Sequence, residues 1–202
     1  MIHLAKSMDI IKSGSRELSR YFDFVYAIKF IVLLTIFYYS NMFFVGLTIP
    51  GGLYSHAFTY DYNYFNWIIA TILHTSNLIA QGFGLDAYVG EAQTLRVVNG
   101  SGVHMGWQCV GLGVLSFWSA FIMAQDSSWK KRIYWCLGGI IGIWLINCFR
   151  VAFLLLAVVR NWEVNNFMDH HDMFNLVAYT LIIFLIYIYY RQSKKESNAV
   201  EG

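Results

Sequence analysis

The sequence is poor in charge, in proline and in paired cysteines. Only 13% of its 202 residues are charged, and proline occurs once. The three cysteines are an odd number and form no Cys-x-x-Cys pair, so structural disulfides are not expected and at least one thiol should be free. The formal net charge of +2 says little about partners, and we expect no nucleic acid among them.

Apolar residues dominate instead. They make up 57% of the chain, whose mean hydropathy is +0.48, whereas soluble domains have about 45–50% apolar residues. We therefore predict a single integral membrane domain over residues 1–202, folded as an all-α polytopic transmembrane helical bundle. Four strong hydrophobic segments are each close to the ~20 residues that cross a bilayer, and a fifth is weaker. The strong segments are Phe24–Leu47, Met105–Ala124, Ile133–Ala157 and Met173–Tyr190, and the weaker one is Asn66–Phe83.

Basic residues predict the orientation, because cytoplasmic loops are rich in lysine and arginine. Three basic clusters flank the strong segments, and four spans place all three in the cytoplasm. Residues 1–23 then form a retained amphipathic cytoplasmic segment, and residues 192–202 form a cytoplasmic tail. A full span at residues 66–83 would put one cluster outside, so we interpret it as an interfacial or re-entrant helix; a true fifth span is the alternative. The clusters are Lys6, Lys12, Arg16, Arg20 and Lys29; Lys130, Lys131 and Arg132; and Arg191, Lys194 and Lys195.

The stretch Asp86–His104 differs from its surroundings. Its sequence TLRVVNGSGV is rich in residues that favour strands, and Asn99-Gly100 is a turn signal. We predict a short extracytoplasmic β-like segment that leads directly to Cys109.

Polar groups from three predicted spans reach one depth. Arg150 follows Ile133 by 17 residues, which places it roughly 25 Å up that helix, near the outer boundary. Cys109 lies about four residues into a span that enters from the outside. His170 and His171 come just before the last span, again on the outside. These side chains are expected to meet at the outer surface of the membrane.

This combination is typical of covalent catalysis. A cysteine thiolate is a strong nucleophile, and a histidine can protonate a leaving amine. Arginine has fixed donors that can hold an oxyanion or a carboxylate. Asn147 precedes Arg150 by three residues and shares its helix face. An arginine in a membrane segment otherwise costs several kcal/mol.

Each residue also has a plainer interpretation. Cysteines in membrane helices are mostly small packing residues, and we expect that role for Cys136 and Cys148. Arg150 could instead snorkel to the headgroups or form an ion pair. Neighbouring histidines do not easily face one site, so no metal or other cofactor is expected. The acidic residues near the histidines are Glu163, Asp169 and Asp172, while His74 and His104 are expected to be structural.

Three short motifs occur in order: CVG at Cys109–Gly111, NCFR at Asn147–Arg150 and HHD at His170–Asp172. The set resembles the exosortase/archaeosortase family of integral membrane transpeptidases. That family has a Cys-x-Gly, then an Asn-x-x-Arg, then a histidine before the last helix. The resemblance covers roughly Val97–Tyr190. The chain is shorter than the large members, with fewer spans, which leaves its substrate open.

The resemblance implies roles for these residues. Cys109 would be the nucleophile, Arg150 would stabilise the thiolate or the transition state, and Asn147 would orient Arg150. His171 would be the general acid and base, preferred over His170 because an aspartate follows it directly. The implied substrates are proteins with a C-terminal sorting signal, made of a short motif, a transmembrane helix and a basic tail. They would be cleaved on the extracytoplasmic face of the cytoplasmic membrane and transferred to an acceptor.

Other functions are compatible with the same residues. A non-enzymatic membrane assembly partner would use Arg150 for an ion pair. A small transporter would line its path with Arg150, Asn147 and the histidines, although the sequence has no inverted repeat. A metal-dependent membrane protease is a weaker alternative, because the chain lacks the His-Glu-x-x-His motif.

Overall fold

The computed structural model describes residues 24–48, 56, 59, 63–160, 162 and 170–201, and in the last range it describes side chains at 176 and 179–193. Long helices form most of this part of the chain. Residues 1–23, which we predict to be an amphipathic segment, lie outside it. The helices are α1 (Phe24–Thr48), α2 (Tyr64–Gly82), α3 (Leu112–Ala124), α4 (Trp129–Val159) and α5 (His170–Glu201).

Within the described residues, three helical stretches are long and apolar enough to cross a membrane: Phe24–Thr48, Trp107–Ala124 and Trp129–Val159. Helix α1 has a single buried residue, Val45, and leaves most of its large apolar side chains exposed. Such a surface suits lipid and not water. The protein is therefore a helical membrane protein, and three of the predicted segments coincide with helical stretches that could cross a bilayer. The predicted segments Met173–Tyr190 and Asn66–Phe83 lie in α5 and α2.

Two contacts involve described basic residues at one end of the bundle. The Lys29 Nζ atom at the start of α1 lies 2.8 Å from the Asp126 Oδ1 atom in the α3–α4 turn. The Lys131 Nζ atom, in the first turn of α4, donates to the Ser193 hydroxyl near the end of α5 at 2.9 Å. Helices α4 and α5 consequently run antiparallel, and the described residues Lys29, Lys131 and Ser193 lie at the same end of the bundle.

The predicted β-like segment is a three-stranded antiparallel sheet. Its strands are β1 (Ala87–Gly90), β2 (Thr94–Val97) and β3 (Gly102–His104), in the order β1-β2-β3. Leu95 pairs with Val89 on one side and with Val103 on the other, and its side chain is fully buried. Asn99 adopts a positive φ of 54° in the β2–β3 connection, which confirms the predicted turn.

Helix α2 lies against α4 through one apolar face. Its buried residues recur at helical spacing, as expected for an amphipathic helix, and its Ser76 hydroxyl donates to the Cys148 carbonyl at 2.9 Å. Trp67 and Leu78 lie on the opposite, exposed face. The buried face consists of Phe65, Ile69, Ile72, Leu73, Ser76 and Ala80.

A tight contact joins α3 to α4. The Trp118 side chain is fully buried, and its Nε1 atom donates to the Trp135 carbonyl at 3.2 Å. A Cβ atom at Gly139 would overlap the Trp118 indole. Only glycine allows α4 to approach this closely.

The predicted continuous span Met105–Ala124 is wrong at its first third. After β3 the chain is extended at Gly106 and makes a 3-10 turn over Trp107–Val110, and α3 begins only at Leu112. Gly111 breaks the helix because its φ of 79° lies in the left-handed region, which residues with a Cβ atom rarely adopt. Cys109 therefore lies in the 3-10 turn and not within a regular spanning helix.

Candidate functional site

Two glycines bracket the turn that carries Cys109. The extended backbone of Gly106 precedes the turn, and the left-handed Gly111 follows it. The Cys109 amide donates to the Gly106 carbonyl at 3.0 Å, which closes the turn. The Cys109 thiol is reduced and its side chain is partly exposed. The Cys-x-Gly motif thus has a structural cause, because the glycine ends the turn directly after the cysteine.

Asn147 of α4 anchors this turn. Its Nδ2 atom donates to the Cys109 carbonyl at 2.8 Å and to the Val110 carbonyl at 3.3 Å. These carbonyls lie where the chain leaves the 3-10 turn, so a regular helix does not satisfy them, and buried carbonyls need a donor. Asn147 is itself buried, with 7% of its surface exposed. The structure thereby gives Asn147 a partner that the sequence did not suggest, since orientation of Arg150 was the expected role.

A cavity of about 250 Å³ lies beside the turn. One face of α4 forms its wall, because Ile143, Ile146, Asn147 and Arg150 follow helical spacing. Polar side chains are gathered near the turn, and apolar ones complete the wall. The remaining lining residues are Gln108, Val110, Gly111 and Val114 from the turn and α3, and Tyr179 and Ile182 from α5.

Arg150 lies on the wall of this cavity and is partly exposed. It follows the first residue of α4 by about 30 Å and precedes the last by about 14 Å along the axis. The helix has 31 residues, which is longer than the ~20 needed for the hydrocarbon core. The guanidinium can thus reach a water-accessible space while the helix continues beyond it.

The Cys109 side chain packs against the apolar cluster formed by α2, α4 and the sheet. Its neighbours Gln108 and Val110 line the cavity. Partial exposure distinguishes Cys109 from Cys148, whose side chain is fully buried. Cys136 is also partly buried, and its Sγ atom lies 3.8 Å from the Ser119 hydroxyl, far along α4 from the cavity. Cys148 is the packing residue that we predicted.

The histidines of the third motif begin α5. The helix starts at His170, but the side chains of His170 and His171 lie outside the described part of the structure. The acidic residues Glu163, Asp169 and Asp172 also lie outside it, so their pairing with Arg150 stays a prediction. Tyr179, two turns along α5, lines the cavity. Helix α5 therefore passes the same cavity that Asn147 and Arg150 line.

The other candidate histidines have separate places. The His104 Nδ1 atom lies 2.8 Å from the Ala92 carbonyl and ties β3 to the β1–β2 turn. His74 is on the exposed side of α2. Among the described residues, no group of three or more His, Cys, Asp or Glu side chains could hold a metal ion.

Sequence reasoning missed two polar lining residues of this cavity, Gln108 and Tyr179. Gln108 directly precedes Cys109, and this position was the available signal. Tyr179 follows His171 by eight residues, which is slightly more than two helical turns, but nothing in the sequence sets the rotation of α5.

No protein-family model matches the chain, and no curated protein or solved structure matches it either. The resemblance to exosortases and archaeosortases consequently depends on the three motifs alone.

Proposed function

We propose that the protein is a membrane-embedded cysteine transpeptidase of the exosortase type. The observation that carries this proposal is the bond from Asn147 to the Cys109 carbonyl, beside a cavity that Arg150 lines. The contact joins the Cys109 turn to a residue 38 positions later in the chain, one helical turn from Arg150 on the cavity wall. Ordinary helix packing does not require this arrangement.

The proposed topology has four spans: α1, the stretch Trp107–Ala124, α4 and α5. Two contacts support it, from Lys29 to Asp126 and from Lys131 to Ser193, because they bring the start of α1, the start of α4 and the end of α5 to one end of the bundle. The Cys109 turn is at the other end of α3. If the basic end is cytoplasmic, the turn and the cavity face the extracytoplasmic side.

The proposed reaction begins with the Cys109 thiolate. It attacks the carbonyl carbon of the scissile peptide, and the Arg150 guanidinium donates hydrogen bonds to the oxyanion that forms. The C–N bond then breaks, and the departing amine takes a proton from His171. The product is a thioester on Cys109. An acceptor nucleophile, deprotonated by the same histidine, attacks the thioester, and the C–S bond breaks to restore the thiolate.

The proposed substrate is a surface-targeted protein with a C-terminal sorting signal. The signal would consist of a short motif, a transmembrane helix and a basic tail. In the proposed four-span topology, the cavity would lie near the level where such a motif leaves the bilayer. Its apolar wall of Val114, Ile143 and Ile182 suits a membrane-proximal peptide, and Gln108 and Asn147 offer amide groups to its backbone.

Replacement of the two partly buried cysteines tests the proposal. Cys109→Ala and the matched control Cys136→Ala would be expressed in membranes together with a reporter that carries such a signal. Mass spectrometry would follow the reporter's C-terminus and any thioester on Cys109. We expect the control to process the reporter like the unchanged protein, and Cys109→Ala to accumulate the full-length reporter.

Equal processing by both variants would contradict a thiol reaction. The packing of Cys109 against apolar side chains favours one other candidate, a non-enzymatic membrane assembly partner. In that case Cys109 is a packing residue, and its replacement would alter stability and not processing.

A further inference from the structure

A second cavity, of about 360 Å³, lies on the other side of the Cys109 turn. The end of α1, the start of α2, the β1–β2 turn and the residues after β3 enclose it. None of its described lining residues is Asp, Glu, Lys or Arg. The described lining residues are Val45, Thr48, Thr59, Asn63, Phe65, Asn66, Ile69, Gln93, His104, Gly106, Trp107 and Gln108.

Hydrogen bonds hold the amide groups of this cavity in fixed positions. The Gln93 Nε2 atom donates to the Asn66 Oδ1 atom at 2.7 Å. The Asn63 Oδ1 atom in turn accepts from the Asn66 backbone amide at 3.1 Å and caps α2. This arrangement leaves the Asn66 Nδ2 atom as a donor and the Gln93 Oε1 atom as an acceptor. A donor and an acceptor therefore stand side by side, already oriented.

His104 adds a second acceptor. Its Nδ1 atom is 2.8 Å from the Ala92 carbonyl, and because a carbonyl only accepts, Nδ1 carries the proton. In the neutral ring, Nε2 is then an acceptor. The Thr48 hydroxyl donates to the Val45 carbonyl at 2.9 Å, so its oxygen can still accept a bond from a ligand. The cavity thus offers several hydrogen-bonding groups and no described permanent charge.

The aromatic side chain of Trp107 forms another part of the wall. It also packs against the apolar cluster of α2, α4 and the sheet, which holds the indole in place. A ring with a fixed apolar face, next to paired amides, suits a ligand with C–H groups on one face and hydroxyls at its edge.

We propose that this cavity binds a neutral polyhydroxylated ligand, such as a sugar ring. Hydroxyl groups both donate and accept, which matches the paired groups of Asn66 and Gln93. The described lining residues offer no counter-charge to a phosphate or an ammonium group, and desolvation of an unpaired charge is unfavourable. The proposal requires no thiol chemistry. Gln108, which directly precedes Cys109, lines both cavities. An occupant of the second cavity would therefore lie beside the residue next to Cys109.

Titration with simple sugars tests the proposal. The full-length protein would be placed in phosphatidylcholine nanodiscs, free of sugar-based detergents. Methyl α-glucoside and N-acetylglucosamine are the neutral probes, and glucose 6-phosphate and glucosamine are the charged ones. Tryptophan emission reports binding, and Trp107→Phe assigns the signal to that residue. We expect a saturable change with a neutral probe. Its charged analogue should bind at least about tenfold more weakly, because its charge is desolvated without a described counter-charge.

Two variants and one matched control complete the test. Asn66→Leu and Gln93→Leu each remove one of the paired amides, and we expect sugar binding to weaken about tenfold or more in both. Gln125→Leu removes an amide bonded to the Tyr26 hydroxyl at the other end of the bundle, and its affinity should not change. Thermal unfolding identifies a variant that fails to fold. Asn66→Gln then replaces Asn66→Leu, and Gln93→Asn replaces Gln93→Leu.

Several results would overturn the proposal. These are the absence of binding by both neutral sugars, equal affinity for the charged analogues, or unchanged affinity in the Asn66 and Gln93 variants. Binding of a short uncharged peptide in place of a sugar would assign the cavity to a peptide. Cys109→Ala should bind sugar like the unchanged protein, so failure of the transpeptidase proposal would not affect this outcome.

Discussion

Replacement of Asn147 by alanine should release the turn that holds Cys109. The side chain donates to two carbonyls, at 2.8 Å and 3.3 Å, and alanine leaves both without that donor. A hydrogen bond of this kind contributes about 0.5–1.5 kcal/mol net, and those within membrane proteins average about 0.6 kcal/mol. The two together predict a loss of about 1–3 kcal/mol in the free energy of unfolding. Asn147→Asp should lose at least as much, because an ionised carboxylate only accepts and can donate to neither carbonyl.

The two remaining cysteines provide the assay in a Cys136→Ala background. Cys109 is partly exposed and should react with a maleimide in the folded protein, whereas Cys148 is fully buried and should react only on unfolding. We expect Asn147→Ala to label Cys109 faster, because the released turn exposes the thiol. We also expect the maleimide to label Cys148 at a lower temperature in Asn147→Ala than in the protein that keeps Asn147.

Asn41→Ala is the matched control. The Asn41 Nδ2 atom donates to the Ser116 hydroxyl at 3.1 Å, and its Oδ1 atom accepts from the Tyr64 hydroxyl at 3.2 Å. Its loss should lower stability by a similar amount without any effect on Cys109 labelling below the transition. Should Asn147→Ala leave the labelling rate of Cys109 unchanged, or should both variants change it equally, the anchoring role of Asn147 is refuted.

Two further predictions concern the bundle. Gly139→Ala should destabilise it by about 1–3 kcal/mol, because the new methyl group overlaps the buried indole of α3. In the control Gly138→Ala the methyl group meets no atom within 4 Å, so the change should be neutral or slightly stabilising. Thermal unfolding that ranks the two variants the other way would refute the packing argument. Lys29 lowers the pKa of Asp126 through a hydrogen bond and charge attraction. The pair should therefore stabilise the protein fully above the ordinary carboxyl pKa of about 4 and lose that effect as the pH falls through the lowered value. The loss should be small, because the aspartate side chain is 74% exposed, and Asp126→Asn should abolish it in unfolding temperatures measured from pH 7 to pH 3.

Local features of the chain could be predicted well because they depend on neighbouring residues. Long apolar runs require helices in a bilayer, since every backbone group must be paired within its own segment. This reasoning located α1 and α4, and the Asn99-Gly100 turn located the β2–β3 connection. It failed at residues 105–111, where the apolar composition concealed a 3-10 turn and a left-handed Gly111. Composition indicates burial in lipid, but it does not indicate backbone conformation.

The sequence by itself determined that the protein is a helical membrane protein and where its long apolar helices lie. Only the tertiary structure decided that Asn147 bonds to Cys109, that Gly139 receives the indole of Trp118, and that Tyr179 faces the cavity. These contacts depend on the rotation and axial position of each helix. Side chains from distant segments set both when they pack, and no local pattern in one segment encodes them.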